Sequence, residues 1–182
     1  KSKESHTSNI SDEEVTPEER VEAGMRVIET QVKLSLLERL MKINPYYFEK
    51  VVLKLLKEMG YGEFRETPKS RDGGIDGIIN EDHLGLDKIY VQAKRYSPNT
   101  LVHETDIRNF IGAMSRDTNK GIFVTTSKFD QSAINKAHEA QQKIILIDGN
   151  KLVDLMHSHN VGVQSKNVYE VKEVDEDFFE ES

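Results

Sequence analysis

Three residues carry the chemistry this sequence can perform. Asp76 lies in "GGIDGIIN", and Gln92 and Lys94 lie in "DKIYVQAKRY". Both stretches read as apolar strands, where an acid and an ammonium are costly unless satisfied. Strand side chains alternate. Ile89, Val91 and Ala93 therefore share one face, while Tyr90, Gln92 and Lys94 share the other. If the strand holding Asp76 pairs with the strand holding Gln92, a carboxylate, a neutral oxygen donor and an ammonium meet at one sheet edge. A hard divalent cation prefers oxygen ligands and takes few protein carboxylates. Asp76, the Gln92 side-chain oxygen and the Ala93 carbonyl are the expected metal ligands, and Lys94 can orient water or neutralise charge on a phosphoryl group. Such a set suits phosphodiester hydrolysis and needs neither a nucleophilic cysteine nor a Ser/His pair. Taken alone, "GGIDG" is equally a capped turn or one half of a buried ion pair, because a single short motif is weak.

The elements around these residues are legible in the pattern. "TPEER" signals a helix start, with Thr16 as cap, Pro17 in the first turn and Glu19 three residues on. That helix is expected to run to about Met41, with Val21, Met25, Ile28 and Val32 on one stripe. Phe48, Val51, Val52, Leu55, Leu56 and Met59 mark a second amphipathic helix, which Gly60 ends. Strands are expected over 63–67, 74–80 and 87–95 as a meander, with "NEDHLGL" as a turn. Next come a helix carrying Ile107, Phe110, Ile111 and Met114, the buried strand "GIFVTTS", the helix "QSAINKAHEAQQ", the buried strand "KIILID" and the closing helix "NKLVDLMH". This order implies an α/β fold with a mixed sheet and helices on both faces.

The bulk properties narrow the class. The chain has 182 residues, enough for one sizeable domain. It has no cysteine, which excludes disulfides and thiolate metal sites. No apolar run approaches the ~20 residues of a membrane span, and a cytoplasmic location is expected. The net charge of −7 is concentrated at the ends: residues 1–20 carry net −3, residues 170–182 carry −6, and residues 21–169 carry +2. A local DNA-binding patch is compatible with that middle, although it lacks a strongly basic footprint. Residues 1–15 read as a disordered linker and 164–182 as an acidic, solvated tail.

With these residues in view, "FEKVVLKLLKEMGYG", "GGIDGIIN", "DKIYVQAKRY", "GIFVTTS", "KIILIDG" and "LVDLMHSHNVGV" resemble the catalytic domain of Mrr-type restriction endonucleases, in the PD-(D/E)xK nuclease superfamily. The resemblance covers residues 16–163. It implies a three-layer αβα restriction-endonuclease-like core with a mixed central sheet, preceded by a long N-terminal helix. It also implies cleavage of modified, typically methylated, double-stranded DNA with Mg²⁺ or Mn²⁺. Asp76 matches the metal-binding acid, Gln92 the residue that replaces (D/E), Lys94 the catalytic lysine, and Glu49 the acid contributed by the first core helix. Gln92 departs from relatives that carry a carboxylate there, so weaker cation affinity is expected. Full-length members carry an N-terminal winged-helix module, and none is visible in this sequence. Cutting both strands implies a homo-oligomer.

Outside this core, Lys69, Arg71, Arg95 and Lys128 are expected backbone contacts to DNA. Thr125, Thr126 and Ser127 end a buried strand, where hydroxyls commonly cap a helix. His157 and His159 lack partner ligands at metal-site spacing. The rival functions are a non-catalytic DNA-binding or scaffold module of the same fold and a structure-selective nuclease acting on branched DNA.

Overall fold

The computed structural model describes residues 15–62, 64–66, 76–80, 87–114 and 118–180. Helix α1 (Pro17–Lys42) begins in a capping box: Glu19 N–H donates to Thr16 Oγ1 (3.2 Å) and Thr16 N–H to Glu19 Oε2 (2.8 Å). Helix α2 (Pro45–Glu58) is capped by the Asn44 side chain, which accepts from Tyr46 N–H at 2.8 Å. It ends at Gly60, whose φ of 92° only glycine adopts without strain. Three antiparallel strands follow: β1 (Phe64–Glu66), β2 (Asp76–Asn80) and β3 (Lys88–Lys94). Helix α3 (Glu104–Ala113), β4 (Lys120–Thr125), α4 (Gln131–Glu139), β5 (Lys143–Ile147) and α5 (Gly149–Ser158) complete the core. Strands β3, β4 and β5 are parallel, so the sheet is mixed, in the order β1-β2-β3-β4-β5. The linker expected over residues 1–15 lies almost wholly outside the described residues, as do the turn at 81–86 and Lys69, Arg71, Gly73 and Gly74.

Alternation along β3 divides the core into two layers. Ile89, Val91 and Ala93 pack with Phe48, Val52 and Leu55 of α2 and with Leu152 and Met156 of α5. Tyr90 packs on the other side, with Ile107 and Phe110 of α3, Phe123 of β4 and Ala133 of α4. The result is the αβα sandwich expected from the element order. On the α3 side a chain of rings runs Tyr90–Phe110–Phe123–Phe129, with centroids 5.2, 5.4 and 5.8 Å apart. Each pair contributes ~0.5–1.5 kcal/mol beyond its burial, and together they seat α3 firmly on β3 and β4.

The long first helix differs from the sequence reading. Val21, Met25 and Ile28 are about half exposed, and the residues that enter the core are Leu36 and Leu40, two turns nearer the C-terminus. Only that end of α1 lies on α5, where Lys33 reaches Asp154 at 2.8 Å. The stripe from Val21 to Val32 therefore has helical spacing without supplying the core. The acidic segment after Val163 is exposed along its described length, with one short 3-10 turn at Glu176–Phe179.

The ring of Phe110 lies over Gly121. A Cβ at Gly121 would come within 2.8 Å of that ring and 3.1 Å of Ile144 Cδ1. Gly121→Ala is expected to destabilise the fold by ~1–3 kcal/mol through this overpacking, read as a lowered midpoint in urea unfolding. An unchanged midpoint would show that α3 is not held against β4 as described.

Candidate active site

The carboxyl end of β3 is where the candidate residues gather. Asp76 is the direct cross-strand partner of Gln92, and Gly77 is the partner of Val91. By alternation Gln92 and Lys94 lie on the α3 side of the sheet, with Tyr90. Gln92 is only 9 % exposed. Lys94 ends the strand, opposite Thr125 of β4. The parallel strands β3, β4 and β5 thus present their carboxyl ends together, the position where open α/β sheets form ligand crevices.

The Lys94 ammonium is largely covered, and its Nζ lies 3.6 Å from Asp106 Oδ1. Asp106 belongs to the first turn of α3 and was not singled out from the sequence. There it reads as an ordinary acid favoured by the helix dipole. Its Oδ1 also accepts from the Tyr96 hydroxyl at 3.3 Å, and its Oδ2 accepts from His103 N–H at 3.0 Å. Burial pushes the Tyr96 phenol up from its ordinary value, which keeps it protonated and able to donate. The alternation that links Gln92 to Lys94 reaches Tyr96 one step further, so this residue was within reach of the sequence pattern.

The loops beyond β3 and β4 are stitched together. Tyr96 N–H donates to Thr126 Oγ1 (2.9 Å), and that hydroxyl donates to the Tyr96 carbonyl (2.7 Å). Ser127 Oγ donates to the Thr100 carbonyl, and Ser127 N–H donates to Thr125 Oγ1 (3.2 Å). The three hydroxyls, all buried, act as loop staples. The helix caps are Asp130 for α4 and Asp148 for α5. A short bridge between Val102 and Phe129 and a 2.5 Å contact between His103 Nδ1 and Asp130 Oδ2 tie the start of α3 to the start of α4.

The other expected site residues sit on other elements. Glu49 is buried in α2, at 4 % exposure. Its helix packs on the Val91–Ala93 face, in the layer opposite Gln92 and Lys94. Arg95, expected as a DNA contact, reaches toward α1. Its guanidinium is partly buried and donates to the Met41 carbonyl, at the end of α1. Cations complement the unpaired carbonyls there. Lys128 is exposed, on the loop after β4. His157 Nδ1 lies 3.8 Å from Glu29 Oε1, a surface contact.

The donor chemistry fits a hard cation. An acid opposed to an amide oxygen, with a strand-end carbonyl beside them, is an oxygen set of low charge. Among the described residues no group of three or more His, Asp or Glu side chains forms a metal site.

A mixed αβα sheet whose second and third strands oppose an acid and an amide, with a lysine two residues on, defines the PD-(D/E)xK nuclease class. Residues 40–156 match the family model described as restriction endonuclease. The chain belongs to the Mrr-type restriction endonuclease family. It is 38 % identical over 170 residues to the type IV methyl-directed restriction enzyme EcoKMrr of Escherichia coli (strain K12), which covers 91 % of this chain and 55 % of that relative. The chain thus spans about half the length of that curated relative. The fold is also similar to that of the modification-dependent restriction endonuclease AspBHI, at 24 % identity and a TM-score of 0.60 over 74 % of this chain and 36 % of that one. MspJI restriction endonuclease in complex with a 27-mer oligonucleotide is similar at 21 % identity and a TM-score of 0.51, over 70 % and 31 %. Both likenesses bear on the fold.

The Asp130 cap carries a pH signature. The Ser132 hydroxyl, His103 and the Ala133 N–H hold its carboxyl at about 2, below the ordinary 3.8. A folded-state value below the unfolded one adds stability that is present above the ordinary value and lost as pH falls toward 2. Asp130→Asn should therefore be less stable than wild type near neutral pH, with the gap closing in acid, as read by thermal unfolding across pH. A gap constant with pH would contradict this account.

Proposed function

We propose that this chain is the catalytic part of a restriction endodeoxyribonuclease that hydrolyses phosphodiesters of methylated or otherwise modified double-stranded DNA, using Mg²⁺ or Mn²⁺. One observation carries the reading: the β2–β3 register opposes Asp76 to Gln92, which shares its sheet face with Lys94. Family membership and the type IV relative support the same reaction class.

Asp76, the Gln92 side-chain oxygen and the Ala93 carbonyl hold the cation. When bound, it supplies positive charge to the scissile phosphate and activates water. Lys94 places its ammonium where negative charge grows on the phosphoryl oxygens, and it orients the attacking water. The water oxygen forms the new P–O bond, one bridging P–O bond breaks, and the departing oxygen takes up a proton, so that one water is consumed. Lys128, with Lys69 and Arg71, contacts the DNA backbone, while Arg95 remains committed to α1. Cleavage of both strands requires two such sites, supplied by two copies of the chain. A cytoplasmic setting fits this task, and no helix among the described residues is long and apolar enough to cross a membrane.

Mg²⁺-dependent nicking of methylated plasmid tests the reading. Asp76→Ala and Lys94→Ala should each lower the rate by ~10²–10³-fold or more while leaving thermal unfolding nearly unchanged. Chelation should abolish cleavage, and unmethylated or branched duplexes should be cut more slowly. Wild-type rates in either variant would remove the assigned roles. A preference for branched duplexes would move the protein to structure-selective cleavage.

A further inference from the structure

We propose that Asp106 is a positioning residue that fixes the Lys94 ammonium beside the cation-binding pair. This rests on the nuclease reading above and adds a residue from a different element to it.

A lysine at a strand end has a flexible four-carbon stem and no intrinsic aim. Here the aim comes from α3. Asp106 Oδ1 lies 3.6 Å from Lys94 Nζ, and the two side chains are 22 % and 21 % exposed. The carboxylate is itself held at both oxygens: the Tyr96 hydroxyl donates to Oδ1 and His103 N–H to Oδ2. Its helix is anchored one residue on by Ile107 and four residues on by Phe110, both buried in the ring cluster. A rigid acceptor on a rigid helix therefore defines where the end of a flexible side chain sits. An ammonium has three donors. At 3.6 Å the contact with Asp106 is an ion pair longer than a hydrogen bond, so it orients the charge without spending a donor. Tyr96, two residues past Lys94 in the loop after β3, closes the arrangement from the strand side. The device is a strand-end lysine aimed by a helix N-terminal acid.

Two readouts test it on the full chain. Reductive methylation with formaldehyde, followed by peptide mass spectrometry, reports how accessible and how tightly paired Lys94 is. Exposed Lys128 serves as the internal reference. Asp106→Asn, which retains an acceptor for His103 N–H, should speed Lys94 labelling severalfold while Lys128 is unchanged. In Mg²⁺-dependent cleavage the same variant should lose about tenfold in kcat, with KM for DNA little changed, because misplacing a catalytic group costs rate more than binding. Asp106→Glu should retain more of kcat than Asp106→Asn. Tyr96→Phe, which removes a single hydroxyl, should give a smaller loss of the same kind. Unchanged Lys94 labelling in Asp106→Asn, or wild-type kcat in that variant, would overturn the proposal. If the wild-type chain cuts no DNA, the nuclease reading fails, and labelling alone then decides whether the clamp exists.

Discussion

The site depends on the register between β2 and β3. Asp76 opposes Gln92 because five residues of an antiparallel pair align, from Asp76–Gln92 to Asn80–Lys88. A slip of one residue would place position 76 opposite Val91 or Ala93 and turn every side chain of one strand to the other face. The apolar pattern guards against that slip. Val91 and Ala93 are committed to the α2 and α5 layer, and Tyr90 to the α3 and α4 layer. Sheet register, core packing and site assembly are therefore a single constraint.

The same constraint explains how a buried strand can end in polar groups. Strand β3 is covered on both faces, and an amide or ammonium within it would be costly without partners. The cost falls at the strand end, where helix α3 brings Asp106 to Lys94 and the Thr126 hydroxyl satisfies the backbone of Tyr96. The staples among Thr125, Thr126, Ser127 and Thr100 keep the loops after β3 and β4 in one arrangement. The crevice at the sheet edge is therefore preorganised by contacts that need not touch a substrate.

Much of this architecture was legible in the residues themselves. Alternation in "IYVQAKR" put Gln92 and Lys94 on one face and Val91 on the other, and the structure follows it. The capping signals at Thr16 and Gly60 marked the ends of α1 and α2 to within a residue or two. Asp106 was not legible. It lies twelve residues beyond Lys94 on another element, and only the packing of Phe110 over Gly121 brings it near. The bond from Arg95 to the Met41 carbonyl was not legible either. Alternation places Arg95 on the α1 and α2 face, where a helix end needs a donor. The stripe on α1 shows the limit of periodicity: spacing specifies a face, and tertiary neighbours decide which part of it is buried.

The most direct test is a crystal structure of the chain soaked in Mn²⁺, read by anomalous scattering. A peak between Asp76 and Gln92 is expected, about 2.1 Å from the amide oxygen of Gln92, the distance typical of hard cations, and it should vanish in Asp76→Ala. A peak elsewhere, or none at Mn²⁺ levels that support cleavage, would contradict the site.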